Sequence, residues 1–514
     1  MYFFEKTNKN YYLYLILIFI FLPLNFLPPL FDGVVFDYSF EIGNITGLEL
    51  WYKEFSRYVH LQIIYFVYFL SKYTQLSADI FIDNLTIIFL ILFCLEIKKY
   101  SKFLFHLDDK WCNFAALFTA IFPVWHILVA FDINLYLISI YFLLFGYRNF
   151  IKKKKINIFI GVIFIILSFD LESNISFVVG LAIIQTLLNK KDNKNFFPTS
   201  KLIAIFFICI TYYLLKQLYF PPSGSWEGYN AVPWKNFGAN LFEKNFVLNI
   251  FNYSTYFLLY LWIPILFILN LLFINRNLFR EIKLDFKKVF SFKNISDYLL
   301  LVLLSGFAIF PYILLNKSSS IFFLSDYFQR HALLLAPIFG MFFSLVFRDL
   351  SKINCLQYKV NINFYLITFI CINLILLNYG TYRKIESYTY RINLIKEFKN
   401  YGSIPKGNVL IIGKHIPADL RYYELNQVLY KAYGTASWWV IPYHPAASNE
   451  PEDPPPLILS DERRLIQYVS SDYEYECRFY VYLVNDLKKI ERIKKFYIFN
   501  YKKYYNIDKI VKKC

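Results

Sequence analysis

A chain of 514 residues in which 57% are apolar and 22% aromatic is too hydrophobic for a string of water-soluble domains. Its formal charge of +17 would suit nucleic acid, but the excess lies in loops beside apolar runs. The positive-inside rule accounts for it there, and no nucleic-acid partner is expected. The seven cysteines set no disulfide framework. Cys94, Cys112, Cys209 and Cys371 fall inside apolar runs as small fillers, and Cys477 and Cys514 would bridge only in an oxidising compartment.

Lys6 and Lys9 precede a first apolar run near 11–30, which ends in Pro28-Pro29 rather than a small-residue cleavage site and reads as a retained anchor. A long segment, 31–79, follows. Its apolar stretch Val59 to Leu70 is too short to span comfortably and reads as a helix lying at the interface. Further spans are expected near 80–97, 111–128, 133–147, 156–169, 174–188, 201–219, 246–274, 297–315, 331–347 and 361–378. Lys98 and Lys99, Lys152–Lys155, Lys190 and Lys191, Arg276 to Lys288, and Arg348 with Lys352 all fall in alternate loops. That asymmetry places the N-terminus in the cytoplasm and the other loops outside, in a multi-pass protein of a bacterial inner (plasma) membrane.

After Tyr379 the composition turns polar. A helical lead (Tyr382 to Phe398), strand-like runs at Asn408–Gly413 and Cys477–Val484, a helical stretch from Arg421 to Tyr433 and a proline-rich loop at 442–456 suggest a small α/β domain. The expected fold is therefore an all-α polytopic membrane domain of about 11 helices over residues 1–379, carrying an outer α/β domain over 380–514.

The acids at the mouths of spans fall on the outer side: Asp32 and Asp37, with Glu41, after the first run, Asp132 in one tight turn, and Asp170 with Glu172 in another. A carboxylate there can take a proton from an acceptor hydroxyl or hold a metal; alone, it is more often a solvated loop acid. Asp132 also suits a helix N-cap. Arg330, at the head of a late span, fits a lipid phosphate through its planar fork, or snorkels to ordinary headgroups. His60, His126 and His331 come out on the outer side with no metal-ligand spacing, so the metal identity stays unknown. No glycine-rich phosphate loop or nucleophile elbow is present.

This layout resembles the GT-C superfamily of polytopic glycosyltransferases, particularly bacterial relatives of dolichyl-phosphate-mannose protein mannosyltransferases and of lipid A aminoarabinose transferase. His60-Leu61-Gln62-Ile63-Ile64-Tyr65 stands where that family has a histidine motif, without its prolines. Pro123, His126, Asp132 and Tyr136 match the family's tight outer turn, with Asp for Glu and Asn134 in place of Arg. Arg330-His331 with Pro337 resembles the late Arg-Tyr-x-x-Pro motif.

The resemblance implies glycosyl transfer on the outer face from a polyprenyl-phosphate-linked sugar to a glycan, lipid or protein acceptor. Asp37 is the favoured base, Asp32 its alternative, and Asp132 a partner acid or metal ligand. Arg330 would clamp the phosphate, with His60, His126, Tyr136, Glu172 and His331 around the substrate. A divalent cation is allowed but not required. The competing reading is a transporter or flippase for lipid-linked sugars, which would place its ionisable groups nearer mid-membrane and show repeat symmetry.

Overall fold

The computed structural model describes residues 46–76, 78–129, 131–191, 199–223, 244–274, 292–315, 317–322, 327–352 and 361–401, four strands beyond them, and a few isolated positions. Twelve helices run in order among the described residues: α1 (Thr46–Glu54), α2 (Tyr58–Thr74), α3 (Ala78–Phe105), α4 (Asp109–Ala120), α5 (Phe131–Phe150), α6 (Lys155–Ser168), α7 (Ser173–Lys191), α8 (Thr199–Tyr219), α9 (Lys244–Ile274), α10 (Phe292–Leu314), α11 (Leu335–Lys352) and α12 (Ile362–Tyr401). Short 3₁₀ segments, Pro123–Val129 and Tyr327–Ala332, precede α5 and α11. The first expected span lies almost wholly outside the described residues.

Five stretches are long and apolar enough to cross a bilayer: Ile80–Phe105, Ser200–Tyr219, Phe246–Asn270, Ile295–Leu314 and Ile362–Tyr382. On α8, Ile203, Phe207 and Leu218 are each more than 60% exposed, a surface that suits lipid rather than water. The protein is a multi-pass, helical membrane protein. Shorter apolar helices, α6 and α7, lie among the long ones.

The run read as one span near 111–128 is broken. Asp108 caps α4 by accepting the Trp111 N–H at 3.0 Å; the helix ends at Ala120, and Pro123 opens the 3₁₀ segment. Proline has no N–H to continue the ladder, so an apolar run that looked continuous turns at that point. The polar lead after Tyr379 is no separate helix either: α12 runs unbroken for 40 residues from Ile362 to Tyr401.

Small residues set the closest crossings. Ala336, Gly340 and Ser344 recur every fourth residue on α11 and meet Ala115 and Thr119 of α4; a Cβ at Gly340 would collide with both. The Ser344 hydroxyl donates to the Trp111 carbonyl at 2.6 Å. Gly146 and Gly161 do the same for α5 against α6, where a Cβ at Gly161 would fall 2.6 Å from the Phe150 Cα. Such stripes let backbones approach where lipid offers no hydrophobic driving force.

Charge at one end of the bundle is paired. Buried Glu96 takes a two-pronged contact from Arg148 and a 2.7 Å bond from Lys99. Buried Asp349 accepts from Arg348, Lys352 and the Tyr298 hydroxyl. These groups lie at the ends of α3, α5 and α11 and the start of α10.

Beyond α12, four strands pair in the order β2-β1-β3-β4, with β1 (Gly407–Gly413) parallel to β2 (Trp438–Tyr443) and to β3 (Phe479–Val484), and β4 (Ile490–Arg492) antiparallel to β3. β1 and β3 coincide with the strand-like runs read from the sequence. β2 was not anticipated, because it contains Pro442; its place at the sheet edge leaves one side of its backbone unpaired, where proline is tolerated.

Candidate functional site

At the end of the bundle opposite the Glu96 and Asp349 clusters lies a cavity of about 1200 Å³. It gathers the start of α2, α5 and α7, the end of α8 and α10, and the second 3₁₀ segment. Each of these ends borders a turn read as outer. The polar wall includes Arg57, Tyr136, Asp170, Glu172, Lys216, Lys317, Arg330 and His331. The apolar wall is formed by α7 and α10, through Ile175, Val179, Leu303, Phe307 and Phe310. Gly306 also lines it, and a Cβ there would meet nothing within 4 Å.

The turn between α6 and α7 delivers the two acids. Phe169 and Leu171 are buried on either side of Asp170, which anchors the turn and leaves its carboxylate against the start of α2. Asp170 Oδ2 accepts the His60 backbone N–H at 2.8 Å, a negative group at a helix N-terminus, where the dipole favours it. Burial still pushes its carboxyl up to about 6, against the opposing pull of the His60 and Val59 amides, Lys216 and Arg57. Glu172 reaches the Lys216 ammonium at 2.9 Å. Ser173 shares a 2.9 Å hydrogen bond with the Tyr312 hydroxyl, tying α7 to α10.

The cations come from separate elements. The Arg57 guanidinium stacks over Tyr136 at 4.8 Å and over Phe55 at 4.0 Å, a geometry that orients a planar cation. Lys317 sits just beyond α10, its backbone N–H bonded to the Tyr312 carbonyl at 2.8 Å and its carbonyl to the Tyr253 hydroxyl at 3.2 Å. Burial, then Arg330 and Arg57, lower its ammonium to about 8. The segment that follows is pinned to α9 through Ser319 with Tyr256 and Ser320 with Thr255. Gln329 reaches back to the Ser320 carbonyl at 3.2 Å, so the neighbouring Arg330 is carried on a braced turn. The His331 ring packs on Tyr312 at 4.6 Å.

Of the residues singled out from the sequence, Tyr136, Glu172, Arg330 and His331 line this one cavity. His60 lies behind it: its ring is fully buried, shares a 2.8 Å hydrogen bond with Ser139 and stacks on Tyr136 at 6.2 Å. Burial first, then Arg57 and Lys216, hold His60 well below the ordinary histidine range. His60 thus supports Tyr136 and the start of α2 and does not itself line this cavity. His126 is elsewhere, buried with Nδ1 2.6 Å from the Pro123 carbonyl and its ring against Gly380 of α12. Asp132 occupies the first turn of α5, one turn before Tyr136; its side chain, and Asp32, Asp37 and Glu41 entirely, lie outside the described residues.

Three cavity cations, Arg57, Lys216 and Lys317, escaped the sequence reading. Lys216 gave one signal, a lone ammonium inside an apolar helix. Among the described residues, no three of His, Cys, Asp and Glu come together as a metal cage.

Comparison of the chain with protein-family models, with curated proteins and with solved structures returned no match in any of the three.

Proposed function

We propose that this protein is a glycosyltransferase of the GT-C kind, moving a sugar from a polyprenyl-phosphate-linked donor onto an acceptor at the outer membrane surface, in the synthesis or modification of cell-envelope glycan. The observation that carries the reading is a single cavity with a cationic end and an apolar slot. Arg57, Lys216, Lys317 and Arg330 sit at one end; the groove between α7 and α10, open at Gly306, forms the other. A ligand that is anionic at its head and hydrocarbon at its tail matches both halves.

In such a transfer an acceptor oxygen attacks the anomeric carbon, whose bond to the phosphate oxygen breaks, and the lipid phosphate leaves with the electron pair. Charge grows on that phosphate as the bond lengthens. Preorganised Arg330 and Lys317 stabilise it most where it is largest, which lowers the barrier rather than merely tightening binding. The acceptor proton goes to a carboxylate. Asp37 is preferred, with Asp32 as its alternative and Asp132 as the partner acid, on the strength of the resemblance. Glu172, held by Lys216, is a weaker candidate for the base and suits orientation of the sugar hydroxyls. The strands beyond α12 are read as part of an outer α/β domain over 380–514 that binds the acceptor or docks a partner.

The test pairs two variants in cells making the glycan. Gly306→Trp puts an indole into the slot from a position where an added Cβ meets nothing within 4 Å, and Arg330→Met removes a headgroup cation. Both should abolish the glycan product while the protein inserts at normal levels. Unchanged glycan in both would refute the reading, and uptake of lipid-linked sugar without any glycan product would convert it to a transporter.

A further inference from the structure

Glycine inside a helix is destabilising relative to alanine, so a helical glycine calls for a reason. At Gly146, Gly161, Gly180, Gly340 and Gly380 the reason is packing: an added Cβ would collide with a neighbouring backbone or side chain. Gly306 of α10 has no such reason, because a Cβ there would meet nothing within 4 Å. What Gly306 does face is the cavity, which it lines together with Leu303 and Phe310. These three recur at helical spacing on one face of the span Ile295–Leu314, so the open space beside Gly306 is apolar and lies at membrane depth.

The wall around that space is braced. Pro311 has no N–H to offer the carbonyl of Phe307, four residues earlier. The Ser176 hydroxyl of α7 donates to this carbonyl instead, at 2.8 Å. On one side of that bond Ser173 meets the Tyr312 hydroxyl at 2.9 Å; on the other, the Phe307 ring lies against Gly180. A wall pinned at three points adapts little to what enters, so the group at position 306 decides which cross-section fits. A polyprenyl chain carries a methyl branch on every isoprene unit and is wider than a straight alkyl chain. We propose that Gly306 is the tail-selecting residue of the site: its missing side chain makes room for the branch methyls of a polyprenyl phosphate and favours it over a straight-chain lipid phosphate. This rests on the lipid-phosphate reading of the cavity and adds which hydrocarbon the slot takes. Along α10, Gly306 stands about 9 Å from Tyr312, at about 1.5 Å per residue. The first isoprene units reach that depth when the phosphate sits at the polar wall.

Hexahydrofarnesyl phosphate and dodecyl phosphate share a headgroup and a main-chain length and differ only in the branch methyls. Each is titrated into the full chain in lipid nanodiscs at pH 7.5. Partition of a probe into the nanodisc is the same for every variant, so a change in the affinity ratio reads the slot. The parent should bind the branched probe at least about tenfold tighter, the scale of discrimination that methyl groups give in a fitted apolar pocket. Gly306→Ala should lower the ratio to about threefold and Gly306→Leu to about one, with dodecyl phosphate still bound. Val302→Leu, exposed on the same helix and outside the cavity lining, should leave the ratio intact. Where Gly306→Leu closes the slot to both probes, the Gly306→Ala ratio decides. A parent ratio near one, or a ratio unchanged by the substitutions at Gly306, would overturn tail selection while leaving a lipid-phosphate site standing. Binding of neither probe by the parent would overturn both.

Discussion

Replacing Lys317 by methionine removes one charge from a crowded cationic cavity and keeps the length and most of the apolar stem of the side chain. Burial and the two guanidinium groups lower this ammonium from 10.5 to about 8, which at face value opposes the protonated form by about 3 kcal/mol. Lys317 is half-buried, so screening by solvent reduces that to about 1 to 2 kcal/mol. The sign follows from linkage. A lysine whose folded pKa lies below its unfolded one costs stability in full below about pH 8, and the cost fades as pH rises toward 10.5. The ligand-free Lys317→Met protein should therefore melt at a higher temperature than the parent at pH 7, and the gap should close by about pH 10. Intrinsic-fluorescence melts in detergent at both pH values measure this. Added farnesyl phosphate should raise the melting temperature of the parent and move the variant far less. A variant that melts below the parent at pH 7, or a gap that persists undiminished at high pH, would refute the reasoning that burial and the neighbouring guanidinium groups oppose the charged form of Lys317.

Other consequences can be checked separately. Asp170, whose carboxyl is raised from 3.8 to about 6, binds its proton more tightly folded than unfolded, so the parent should lose stability as pH climbs from about 4 to 6; Asp170→Asn should flatten that slope in melts across the range. Gly161→Ala places a Cβ against the backbone of Phe150 and Gly146, and should destabilise by on the order of 1 to 3 kcal/mol in denaturant titrations. In a background with its native cysteines replaced, Lys154→Cys should react with a membrane-impermeant maleimide only from the cytoplasmic side, and Ser223→Cys only from the opposite side.

Much of the helical plan was legible in the sequence because apolar runs and basic loops alternate with little ambiguity. The acids of the turn between α6 and α7 were legible for the same reason: Asp170 and Glu172 interrupt two apolar runs within a four-residue turn. Other features were hidden for physical reasons. A proline inside an apolar run, as at Pro123, does not change mean hydropathy, so the turn after α4 reads as membrane-spanning length. The composition shift at Tyr379 looks like a domain edge, yet nothing there stops a helix; Gly380 is required instead by the His126 ring packed against it.

The cavity cations were the hardest to read. Lys216 near the end of α8 and Lys317 just beyond α10 each look like ordinary snorkelling residues when taken singly. Only the docking of α7 between α8 and α10 brings them to the same space as Arg57 and Arg330. Conversely, His60 and His126 stood out as polar residues in apolar surroundings, and both turn out to be enclosed supports. A polar residue in an apolar run reports burial; whether it faces a ligand depends on contacts far away in the chain.

Photo-labelling tests the account's central claim most directly. The full chain in detergent, irradiated with a farnesyl phosphate bearing a benzophenone at its tail, should give adducts mapped by peptide mass spectrometry to residues 175–179 of α7 and 303–315 of α10, and Gly306→Trp should abolish them. Adducts confined to the lipid-facing surface of α8 or α9, unaffected by that substitution, would contradict it.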